Sequence, residues 1–138
     1  MLNDKKFRAY RIFENGGGGM TLPFTLGNIQ DKHEFEFEDG TYVDWDEMGL
    51  ANPDTHLMEE IGQVDVTGAK IFDGDLIQDI RAKDDPWYAP IHEVVYTCAS
   101  RFAMRAIDTE KYGSAEWTID GTKVKIVGNK YENPELMK

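Results

Sequence analysis

Asp73, Asp75 and Asp79 stand close enough in the sequence to act together. Carboxylates at i and i+2 of a strand share a face, and such a pair can hold Mg²⁺ or divide acid and base work. That chemistry defines one candidate function, a metal-dependent hydrolase built on these three aspartates. Gly74 separates the first two in a turn, however, and Asp-Gly recurs at Asp39-Gly40 and Asp120-Gly121. Asp-Gly is turn chemistry, because Asp bonds nearby backbone and Gly accepts left-handed angles. Asp75 is therefore expected to bond the backbone where a strand begins, and no metal ligand is assigned. An EF-hand is excluded by the missing oxygen spacing and closing Glu.

His33, His56 and His92 are far apart and belong to no metal-spaced motif. Cys98 and His92 would make a nucleophile pair, but Cys98 falls on the apolar side of an expected strand, where cysteine is ordinary core. A phosphate loop at Gly16 to Gly19 would need a Lys-Ser/Thr step opening a helix, and Met20-Thr21-Leu22-Pro23 follows instead. Four successive glycines lose too much backbone entropy to sit inside an element, so a mobile loop is expected. No cofactor is called for. Recognition has better candidates. Trp87-Tyr88 lies between Pro86 and Pro90, and aromatics on a proline-braced loop bring contact area at little entropic cost. The alternative is that they fold back as a lid over the core. Arg101 and Arg105 share a strand face, a small basic island suited to carboxylates of a partner or of the molecule itself.

These residues need elements to hold them. Lys6 to Phe13 alternates as a first strand, with Phe7, Ala9 and Arg11 on one side. Residues 33–47 form a hairpin. A three-residue loop, Glu38-Asp39-Gly40 with Gly40 left-handed, pairs Phe35 with Val43 and puts Phe37 and Trp45 on the same face, whereas a two-residue loop sets Phe35 against Asp44. Around Asp120-Gly121 a two-residue loop pairs Ile119 with Thr122 and Trp117 with Val124. Trp117, Ile119, Val124 and Ile126 then line one face, with Glu116 across from Lys125 on the other. Asn52-Pro53-Asp54 is a turn, Thr55 to Ile61 suits helical turns or an extended segment, and 81–93 is a long loop. Residues 94–107 read as two strands joined near Ala99-Ser100, although Val94, Val95, Cys98, Ala99, Phe102 and Ala106 also make a helical stripe. Asn133-Pro134-Glu135 opens a short terminal helical turn.

The fold class is mainly β with little helix. Residues 68–138 are expected to form a small, SH3-like β-barrel of strands near 76–80, 92–98, 101–107, 115–119 and 122–127. Residues 1–67 supply a strand, the glycine loop and a hairpin packed beside it, the whole making one compact unit. A chain of 138 residues can bury a core without metals or disulfides. The single cysteine excludes an internal disulfide and fits a reducing cytoplasm. Met1 to Arg11 has no apolar h-region, and no stretch approaches the ~20 apolar residues of a membrane span. The expected protein is soluble and cytoplasmic. A net charge of −11 repels duplex phosphate and anionic membranes, against non-specific DNA binding. It keeps a protein soluble, suits a basic partner, and is compatible with mimicry of nucleic acid.

Three segments carry a resemblance. Lys6-Phe7-Arg8-Ala9-Tyr10 opens the chain with Lys-Phe-Arg-Ala-aromatic. Gly68-Ala69-Lys70-Ile71-Phe72-Asp73-Gly74-Asp75-Leu76-Ile77 has Gly, two residues, then Ile-aromatic-acidic-Gly-Asp and two aliphatics. Gly128-Asn129-Lys130-Tyr131-Glu132-Asn133-Pro134-Glu135-Leu136 closes it. In type, order and spacing these are similar to the YopX protein family over nearly the whole chain. The resemblance implies a β-rich fold and a phage or prophage origin, and it carries over no catalytic residue. The expected function is a non-enzymatic accessory protein that binds a protein partner, with self-association through strand edges or the Trp87-Tyr88 loop. The alternatives are an acidic DNA mimic or single-strand-binding barrel, and the metal-dependent hydrolase.

Overall fold

The computed structural model of the chain describes residues 5–13, 17–25, 34–44, 55–80, 91–97, 102–113 and 115–137. They are mainly β and fall into two compact units, Met1–Glu59 and Glu60–Lys138. No helix among them is long and apolar enough to cross a membrane.

In the first unit β1 (Phe7–Ile12) pairs antiparallel with β2 (Gly18–Met20), and β3 (Glu34–Glu36) with β4 (Tyr42–Asp44). The first half of β5 (Thr55–Val64) runs antiparallel to β1, with Ala9 opposite Leu57. Thr55 to Ile61 is thus extended, because β1 supplies a ladder that residue order alone does not reveal. Ala9, Phe24, Phe35 and Phe37 form the core, with Phe7, Phe13 and Val43 packed against it. The hairpin takes the expected three-residue loop. Phe35 faces Val43, Gly40 has φ of 88°, and Phe37 exchanges backbone bonds with Gly40 and Thr41. Trp45 lies outside the described residues.

The glycine run differs from expectation. Gly18 and Gly19 are strand residues, opposite Ile12 and Arg11. Their entropy cost is offset by packing that no larger residue allows, since a Cβ would strike the Tyr10 ring at Gly18 and the Phe37 ring at Gly19. Gly16 is outside the described residues.

In the second unit the rest of β5 pairs with β6 (Lys70–Phe72) across a bulge. Then follow β7 (Asp75–Asp79), β8 (His92–Tyr96), β9 (Phe102–Ala106), the helical turn α1 (Thr109–Tyr112), β10 (Glu116–Trp117) and β11 (Val124–Asn129). They form one antiparallel sheet in the order β10-β9-β8-β7-β11, curled as a half-barrel. Its inner face buries Ile77, Val94, Met104 and Val124 together with Ile71 and Ile119. Residues 92–96 pair one for one with 102–106, so the helical stripe gives way to two strands. Pro134–Met137 is a short 3-10 turn.

The hairpin expected around Asp120-Gly121 does not form. Trp117 pairs with Met104 on β9 and Val124 with Asp79 on β7, so the two segments sit at opposite edges of the sheet. Gly121 does not take the positive φ that a two-residue hairpin loop requires. Instead Gly121–Lys123 is a 3-10 turn capped by Asp120, whose Oδ1 accepts from Thr122 N and Thr122 Oγ1. Gln63 holds this crossing from β5. Its Nε2 donates to Ile119 O at 2.9 Å, and its Oε1 accepts from Gly121 N at 2.7 Å.

Candidate functional site

The Asp73-Gly74-Asp75 turn links β6 to β7. Asp75 is fully buried, and its Oδ2 accepts from Phe72 N at 2.8 Å. Gly74 N donates to Val94 O, and Gly74 O accepts from Lys130 N. Asn129 faces Asp75 across β7 and β11. The central and closing segments singled out in the sequence therefore meet. Within the closing segment Asn129 Oδ1 accepts from Tyr131 N and Glu132 N, while Asn133 Oδ1 accepts from Asn129 N. These bonds satisfy backbone groups that the end of β11 would otherwise leave to solvent. On a strand rising ~3.3 Å per residue, Asp75 and Asp79 are about 13 Å apart, beyond the reach of one metal ion. Among the described residues no group of three or more His, Cys, Asp and Glu is placed to hold a metal.

Asp79 instead shares the inner face with His92. Ile77 lies opposite His92, which makes Asp79 its diagonal neighbour, and both are buried. Burial pushes the His92 imidazole below its ordinary 6.5, with the Asp79 carboxylate opposing that shift. The unfolded chain then takes up this proton first as pH falls. Stability is complete above pH ~6.5 and declines as pH drops through the folded value. Thermal melts between pH 7.5 and 5 are expected to show a falling Tm, at most about 1.4 kcal/mol per pH unit from this group. His92→Gln should flatten that profile. An equally steep profile in the variant would place the proton elsewhere.

Lys130 Nζ lies 3.3 Å from Glu93 Oε2. Burial pulls the lysine pKa down, but Tyr131 and Glu93 together outweigh it and hold it above the usual value. Burial, then Asp73 and Glu93, push the Tyr131 phenol up against the opposing charge of Lys130. Lys130 stays charged and Tyr131 protonated at neutral pH, so neither is poised as a base or nucleophile.

The sheet's other end is different. On the outer face Arg105 lies between Glu93 on β8 and Glu116 on β10, a row of alternating charge. On the inner face the matching row runs Val94, Met104, Trp117. The first two are buried, whereas Trp117 is 55% exposed. Tyr96 and Phe102 form the next row. Their rings meet edge to face with centroids 5.0 Å apart, and Tyr96 is 58% exposed. Two large aromatics thus continue the core's own face into solvent.

The profile of the YopX protein family matches residues 6–138. The chain belongs to the YopX family. A crystal structure of protein EF1440 from Enterococcus faecalis is similar, with 23% identity and a TM-score of 0.56 over 97% of this chain and 98% of that one. At that identity the likeness is one of fold. No curated protein matches the chain. In this YopX family member Arg105 is half-buried in the charge row, while Trp87, Tyr88, Arg101, Cys98 and His33 lie outside the described residues. His56 is on β5. Sequence reasoning places Trp117 in the core and does not single out Asp65, which bonds β11 from the turn after β5. Asp65 has a signal. Asp-x-Thr occurs at Asp39, Asp65 and Asp120, and each Asp accepts from its Thr N and Oγ1.

Proposed function

We propose that this YopX family member is a non-enzymatic protein-binding module, in the phage or prophage setting that its family resemblance implies. It engages its partner with the aromatic end of the curled sheet. The observation that carries this reading is the exposure of Tyr96 and Trp117 on the same face that buries Val94 and Met104. Trp and Tyr dominate binding hot spots, since they bury much area for few rotatable bonds. A net charge of −11 favours a basic partner and speeds its encounter. Supporting the absence of catalysis, the polar side chains gathered around the signature turn are committed to backbone groups or to each other.

The test is affinity capture by the full chain and by a Tyr96→Ala/Trp117→Ala variant. Both side chains are exposed, so the variant is expected to melt within a few degrees of the parent. A partner retained by the parent and weakened about tenfold or more in the variant supports the reading. Equal retention by both removes this face from consideration.

A further inference from the structure

We infer that the partner binds by adding an extended basic segment to β10, so that it becomes the sixth strand of the sheet. The inference rests on the protein-binding reading and names the partner's chemistry. The two edges of the sheet are treated differently. At β11 the edge is covered, since Val66 N donates to Val124 O and Asp65 Oδ2 accepts from Ile126 N. At β10 no strand among the described residues pairs with the far side. An edge of this kind presents backbone donors and acceptors to any extended chain.

The two faces define what that chain carries. The outer row reads Glu93, Arg105, Glu116 and ends on an exposed carboxylate. A residue directly opposite Glu116 continues the alternation if it is Lys or Arg, and repels if it is Asp or Glu. The inner row reads Val94, Met104, Trp117. Its next member gains most if it is apolar and covers the exposed indole. Adjacent residues of a strand point to opposite faces. The complementary segment therefore alternates basic and apolar side chains. The chain's charge of −11 attracts such a segment at long range and disfavours a second copy of this chain as the occupant.

The probe is a fluorescent peptide of about eight residues alternating lysine and valine, a strand-length segment, compared with its glutamate-valine counterpart. Anisotropy at roughly 0.1 M salt is expected to show the lysine peptide binding about tenfold tighter. Trp117→Ala should weaken it about tenfold, and Glu116→Gln severalfold. Glu116→Lys should reverse the preference between the peptides. N-methylation of every second residue, which removes the backbone donors, should abolish binding. General attraction to an acidic protein would barely notice a change at one position, so affinity unchanged in Glu116→Lys overturns the inference. So does undiminished binding of the methylated peptide, or self-association without peptide binding. Each of these results is separable from failure of the protein-binding reading, because capture that still depends on Tyr96 and Trp117 leaves that reading standing.

Discussion

Asp65→Ala is expected to destabilise the protein by about 3 kcal/mol or more, the largest effect of any single polar truncation considered. Asp65 is 5% exposed and serves four donors. Oδ1 accepts from Thr67 N, Thr67 Oγ1 and Ala69 N, and Oδ2 accepts from Ile126 N at 2.9 Å. Alanine leaves those donors without their charged acceptor, and each such bond is worth roughly 1.5–3 kcal/mol without full additivity. For a chain of this length the loss should lower Tm by about 10 °C. Asp65→Asn separates the two roles. Its oxygen can keep the turn while its NH₂ opposes Ile126 N–H, so roughly half the loss is expected. Burial alone would raise the Asp65 pKa, but the four donors outweigh it and hold it below 3.8. This stabilisation is therefore present above pH ~3.8 and lost as pH falls through the folded value. The Asn variant should lose that acid-sensitive component while keeping the His92 decline at higher pH. A Tm within a degree or two of the parent for Asp65→Ala would refute the hub.

Gly121→Ala is expected to cost about 2–4 kcal/mol, against about 1 kcal/mol for Gly40→Ala. Both glycines stand in the same tripeptide, Asp-Gly-Thr, yet for opposite reasons. Gly40 has a positive φ and nothing within 4 Å of the point where a Cβ would stand, so alanine there loses only in backbone conformation. Gly121 has an ordinary φ but is buried, and a Cβ would overlap the Val64 carbonyl oxygen and crowd Gln63 Oε1 at 3.2 Å. Backbone cannot step aside as a flexible side chain can, so relief requires breaking the Gln63 bonds to Ile119 and Gly121. Denaturant titration of the two variants measures the difference. Equal losses would mean that the contact with Val64 does not limit this position.

Much of the architecture is legible in the sequence because it is written in local chemistry. The first hairpin follows from Phe35, Phe37 and Val43 needing one face, which only a three-residue loop provides. The strands at 92–96 and 102–106 follow from alternation in both segments and from the β-branched Val94 and Val95 in the first. The glycine run misleads because its packing partners, Tyr10 and Phe37, compensate for glycine's entropy only after the strands meet. The aromatic end of the sheet is not legible at all. Trp117 alternates with Ile119 as a core residue would, and nothing local says that β10 is an edge where the core stops.

The sequence by itself determined the β class, the turn at Asp73-Gly74-Asp75, the family and the acidic surface, since each depends on residue types at short spacing. Tertiary structure alone decided what the second Asp-Gly-Thr does. At Asp39 the segments on either side find each other, while at Asp120 β9 and β7 compete for them and win. Pairing partners far apart in the chain outweigh the local turn preference, because β7 takes Val124 fully into the core and β9 supplies a ladder for Glu116 and Trp117. That competition leaves Trp117 on the edge strand of the five-stranded sheet, 55% exposed, rather than in the core.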